Sequence, residues 1–131
     1  MSSTTFSGPV TSTNGFIGAV TGNVTGNVTG NVTGVTTGSV QALSGAGAVN
    51  VTTAVTSLTT TGSAQALTLA NGAVGQFKTI VHTVDGGSAV LTPTTKIGFT
   101  TITFTGVGES ATLVYTAAGW AIVALNGAVA A

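Results

Sequence analysis

The chain has 131 residues, 43% of them apolar and 3% charged, and its formal net charge is zero. Ordinary soluble domains carry about 25% charged residues, so a neutral chain of this kind is expected to associate rather than persist as a free monomer. It has two Lys, no Arg and no Cys, which argues against binding a phosphate backbone and against disulfide or thiol chemistry.

Residues 1–17 read as a polar arm with turn signals at Gly8-Pro9 and Asn14-Gly15. Its large apolar groups are Phe6, Phe16 and Ile17. Such isolated anchors fit an arm that docks on a neighbour and orders there. The start, MSSTTFSGPV, lacks the positive and apolar regions of a secretory signal. Glycosylation at the Asn-x-Thr sequons of Asn23, Asn27, Asn31 and Asn50 is therefore not expected.

Residues 18–41 are six tetrapeptides, GAVT GNVT GNVT GNVT GVTT GSVQ. Glycine opens each one, and the third slot holds Val20, Val24, Val28, Val32, Thr36 and Val40. Four residues are two pleats of a strand, so these valines share one face with the glycines. Gly, Val, Asn and Thr are weak helix formers, and each glycine costs about 1 kcal/mol in a helix. Extended, the run would span roughly 80 Å and expose a valine row with both strand edges. Several identical chains wound together cover both. The valines Val20, Val24, Val28, Val32 and Val40 then meet on a common axis, and the glycines admit close backbone approach. A flexible linker is the alternative, although linkers seldom keep a valine in register.

Residues 42–63 form a connecting Thr/Val-rich β segment, with a small-residue hinge at Ser44–Gly47 and a strand-like run at Val49–Leu58. Residues 64–131 form a C-terminal β domain of short runs parted by turns. Ala64–Ala70 ends at Asn71-Gly72. Phe77–Val84 reaches Asp85-Gly86-Gly87, a hairpin signal, and returns through Ala89–Thr92. Phe99–Thr105 follows, Ala111–Thr116 turns at Gly119 and returns through Trp120–Leu125, and Asn126-Gly127 leads to a short last strand. The last long run alternates Trp120, Ile122 and Ala124 with Ala121, Val123 and Leu125, apolar on both faces. That suits a strand between a core and another subunit. Helical periodicity is lacking throughout. The apolar stretch 117–131 is too short and too interrupted for a membrane-spanning helix.

Chemistry-bearing residues are scarce: Lys78, His82, Asp85, Lys96 and Glu109. Metal sites need several His, Cys or carboxylate ligands, so no metal and no cofactor is expected. Asp85 and Glu109 fall in turns, where such residues serve the backbone. His82 lacks a nucleophile–base–orienter set and reads as a structural or interface residue rather than a ligand. No enzyme activity is expected.

The run GAVGQFKTIVHTVDGGSAVLTP, followed by GFTTITFTGVGESATLVYTAAGWAIVALNGA, resembles a small β domain of structural proteins of tailed bacteriophages, notably marine and cyanobacterial ones. The resemblance spans about residues 64–131. It is carried by Gly75–Val81, Asp85-Gly86-Gly87, Leu91-Thr92-Pro93, Thr101–Phe104 and Trp120 before Asn126-Gly127. The Gly-Asn-Val-Thr repeats are similar to the stalks of phage fibres and spikes. The resemblance implies a virion protein, a β-rich fold and a trimer, and brings no catalytic residues with it.

The expected fold is thus all-β: an extended, intertwined β repeat followed by a small antiparallel β-sandwich of jelly-roll type, assembled as a homotrimer. The expected function is a capsid decoration or cement protein, or head fibre. It would be made in the host cytoplasm and attached to the capsid surface. Phe6, Phe16 and Ile17 would dock on the major capsid protein. Neither nucleic acid nor membrane is an expected partner. The alternative is a short tail fibre or spike module that binds a host-surface glycan, which five Phe, one Trp and one Tyr serve poorly. An ice-binding surface, prompted by the regular threonines, is weaker still.

Overall fold

The computed structural model describes residues 32–35 and 37–131. The arm 1–17, with Phe6, Phe16 and Ile17, lies outside the described residues, as do Val20, Val24 and Val28 of the repeat. Ten strands follow: β1 Val40–Ser44, β2 Gly47–Val49, β3 Val55–Thr59, β4 Gln65–Leu69, β5 Phe77–Val84, β6 Ala89–Pro93, β7 Ile102–Phe104, β8 Ser110–Thr116, β9 Gly119–Asn126 and β10 Val129–Ala130. No helix occurs among the described residues.

The strands make two five-stranded sheets, β1-β3-β5-β8-β9 and β10-β7-β6-β4-β2. From β1 to β6 the chain alternates between them, so each strand lies parallel on its counterpart from the coil before. Val40 pairs with Val55 and Val55 with Thr79 in the first sheet. Gly47 pairs with Leu67 and Leu67 with Leu91 in the second. Parallel neighbours need a crossover, and here a strand of the opposite sheet supplies it. From β7 onward the added strands pair antiparallel and close the stack at one end.

The all-β class expected from the sequence is what the chain forms. Its sheets are mixed, whereas the sequence pointed to antiparallel pairing throughout. Alternating hydrophobicity reports which face is buried and is silent on the direction of the neighbouring strand. Asp85-Gly86-Gly87 is accordingly no hairpin, because β5 and β6 lie in different sheets. It is a corner stacked on the corner before it. A Cβ on Gly86 would stand 2.4 Å from the Thr60 carbonyl oxygen, and one on Gly87 would stand 2.5 Å from the Gly62 carbonyl. Backbone lies on backbone there, and Gly87 takes φ 138° besides. The hairpin expected at Gly119 does form, between β8 and β9.

Residues 42–63 supply β2, β3 and most of β1, and the compact unit spans Val35–Ala131. The core lies between the sheets, with Leu58, Leu67, Ile80, Leu91, Phe104 and Trp120 fully or almost fully buried. The Trp120 indole N–H donates to the Ala70 carbonyl at 2.9 Å, and Tyr115 meets its ring edge-on at 5.1 Å. Burying so large a side chain while satisfying its one donor makes Trp120 a central contributor to the fold.

Candidate functional site

Strand β5 carries two titratable residues, and both point into the core. Lys78 and His82 flank Ile80 on the inner face, and all three are fully buried. Lys78 pairs across with Leu113, which pairs with Ile122, so its stem lies in an apolar row. Its ammonium donates to the Thr53 carbonyl and the Thr53 hydroxyl, both at 2.9 Å. Burial without a counter-charge lowers its pKa to about 8. The Thr53 hydroxyl is in turn held by the Asn50 side-chain oxygen at 2.8 Å. This polar thread ties the β2–β3 corner to β5.

His82 Nε2 lies 3.0 Å from the Thr60 hydroxyl. That hydroxyl accepts from the Gly86 N–H at 2.9 Å and lies 2.7 Å from the Gly87 carbonyl. A hydroxyl has one proton, and the short contact to Gly87 takes it. The network therefore assigns the proton of His82 to Nε2. Nδ1, which has no partner, is then a bare acceptor. His82 thus fastens two stacked corners, the structural role its isolation in the sequence implied.

The carboxylates serve turns. Asp85 accepts from the Gly87 N–H at 2.8 Å. Glu109 accepts from the Thr105 N–H at 2.5 Å and the Thr105 hydroxyl at 2.9 Å. The backbone bond from Thr105 is the main reason its carboxyl sits below the usual range. Among the described residues there is no pocket and no group of three or more His, Cys, Asp or Glu that could hold a metal. The Thr60 hydroxyl beside the His82 imidazole is buried with it and bonded to the Gly86 and Gly87 backbone.

The broadest chemical feature is instead the outer face of the first sheet. Directly paired residues share a face, so the register defines its rows. One row runs Val40, Val55, Thr79, Thr112 and Ala124. The next runs Ala42, Ser57, Val81, Ser110 and Asn126. A shorter row holds Phe77, Val114 and Ala121. None of these residues is ionisable. Three of their four hydroxyls bond within the sheet: Thr79 to Thr112 at 3.1 Å, and Ser57 to Thr83, at the end of β5, at 2.8 Å.

Of the valines expected on a common axis, Val32 and Val40 fall among the described residues, and both are about 60% exposed. Val40 opens the first row of this face. In β9 the alternation read from the sequence slips. The register shifts opposite Thr112 and Leu113, so Ala124 pairs with outward Thr112 and Leu125 with inward Ala111. One extra residue in a bulge reverses the faces beyond it. Lys78 was missed as a buried group. Its signal was the even spacing from Ile80 and His82, visible only once the inner face of β5 is known.

No protein-family model matches the chain, and no curated protein matches it.

Proposed function

We propose that the protein is a non-enzymatic structural component of a phage virion, a homotrimer that decorates or cements the capsid surface. The observation that carries this reading is the outer face of the first sheet. It is five strands wide and free of ionisable residues, with Thr79, Thr112 and Ser57 hydrogen-bonded within the sheet. A neutral face of this width on a chain of zero net charge is suited to protein contact rather than to solution. The Gly-Asn-Val-Thr repeat and the resemblance of residues 64–131 to phage structural domains supply the virion context. Phe6, Phe16 and Ile17 are the docking residues for the major capsid protein.

The glycan-binding alternative is disfavoured by where the aromatics lie. Trp120 and Phe104 are fully buried, and Phe77 is the large exposed aromatic among the described residues.

Incubating the full chain, and a chain lacking residues 1–17, with capsids stripped of accessory proteins tests this. Saturable binding of the full chain at hundreds of copies per particle, lost on removal of the arm, is the expected result. Absence of capsid binding by the full chain would reject the decoration reading.

A further inference from the structure

We infer that the outer face of the first sheet is buried against other copies of this chain, with Val81 near its centre, and is the surface through which the folded unit trimerises. The inference deepens the trimer reading and rests on it.

Three observations select this surface and this occupant. The first is charge. The ionisable side chains of the folded unit are either inside it, as Lys78 and His82, or in loops and corners, as Asp85, Lys96 and Glu109. An uncharged face presents no complement to a charged partner. A second copy brings an equally neutral face at equal concentration.

The second is position. Val40 is the last valine of the tetrapeptide line expected to meet its counterparts on a shared axis, and the structure places it in the outer row with Val55 and Thr79. Val40 therefore contributes its side chain to this face and not to the opposite one.

The third is size. The strands of the first sheet are five, five, eight, seven and eight residues long. Strand spacing and rise give a face of roughly 400–600 Å². That is a large part of the ~800 Å² per partner of a standard interface, and the repeat can add the remainder. The outer face of the second sheet is uncharged too, but its strands are only three, five, five, three and two residues long.

The test compares full-length Val81→Asp with full-length Val90→Asp, a half-buried outward valine on β6 of the second sheet. Molar mass is read by light scattering across a dilution series, with the β-sheet circular dichroism signal as a check on folding. Wild type is expected at three times the 12.5 kDa chain mass. Val81→Asp is expected to raise the concentration at which trimers dissociate at least tenfold, and Val90→Asp to leave it unchanged. Should Val81→Asp fail to fold, Phe77→Lys decides in the same way, because that side chain is already 59% exposed in the single chain. If the first-sheet variants dissociate no sooner than wild type, or if only Val90→Asp dissociates, this face is not the interface, while the trimer reading survives. If wild type itself runs at 12.5 kDa, both fall.

Discussion

Strand β5 inverts the usual distribution of polarity between the two faces of the first sheet. On β5 the inward residues are Lys78, Ile80 and His82, while Phe77, Thr79 and Val81 look outward. A strand with one face in solvent normally shows the reverse, apolar inside and polar outside. The inner face tolerates its two titratable groups because each is tied to specific partners, Lys78 to Thr53 and His82 to Thr60. The outer face has no such ties to the core and no charge. Inward polarity here holds corners in register, and outward apolarity serves contact.

Placing the same charge on each face should break the comparison most sharply. Ile80→Asp buries an unpaired carboxylate in the core and is expected to cost about 4 kcal/mol or more, enough to unfold much of the population. Its outward neighbour in the Val81→Asp variant should keep the fold and lose only association. Thermal melts of the two, monitored by circular dichroism, check this. Equal unfolding would mean that the outer face is structural rather than associative.

Next in size is the corner that the inner polar groups hold. Gly87→Ala forces a Cβ to within 2.5 Å of the Gly62 carbonyl at a φ of 138°. A loss of about 2–4 kcal/mol is expected, measurable by urea unfolding. Gly108→Ala makes a useful reference, since its φ of 87° is also positive but a Cβ there meets nothing within 4 Å. Its smaller loss would separate strain from overlap.

The smallest effect sharpens the inner face alone. Burial lowers the pKa of Lys78 to about 8, against an ordinary value of 10.5. Below pH 8 the amine is protonated in both the folded and the unfolded chain, and the cost of burying its charge is fully present. Between about pH 8 and 10.5 the unfolded chain binds more protons, so stability should rise with pH across that window. Lys78→Met should remove the rise. A wild-type melting temperature that stays level or falls from pH 8 to 10 would contradict the burial of an uncompensated amine.

Much of the strand pattern was legible in the sequence. Phe77–Val84 and the Gly119 hairpin stand where alternation and turn residues put them. Pairing direction was not legible, because Asp85-Gly86-Gly87 serves a stacked corner as readily as a hairpin. The contact that distinguishes the two is with Thr60 and Gly62, a full coil earlier in the chain. The bulge in β9 was hidden for a similar reason, since it exists only relative to Thr112 and Leu113 on the partner strand. The outer face was half visible. The sequence marked Trp120–Leu125 as apolar on both sides, but only the register brings Val40, Val55 and Thr79 into one row and sets the Thr79 hydroxyl against that of Thr112.

The absence of native cysteine permits the most direct test of the central claim, that the outer face of the first sheet is covered by other copies. Val81→Cys and Val90→Cys place matched, half-buried probes on the outer faces of the two sheets. Their rates of alkylation by a water-soluble maleimide are compared in the native full chain and after unfolding in urea. Burial between copies predicts that Val81→Cys is labelled at least tenfold more slowly than Val90→Cys in the native protein, with the difference abolished by urea. Equal native rates would contradict it.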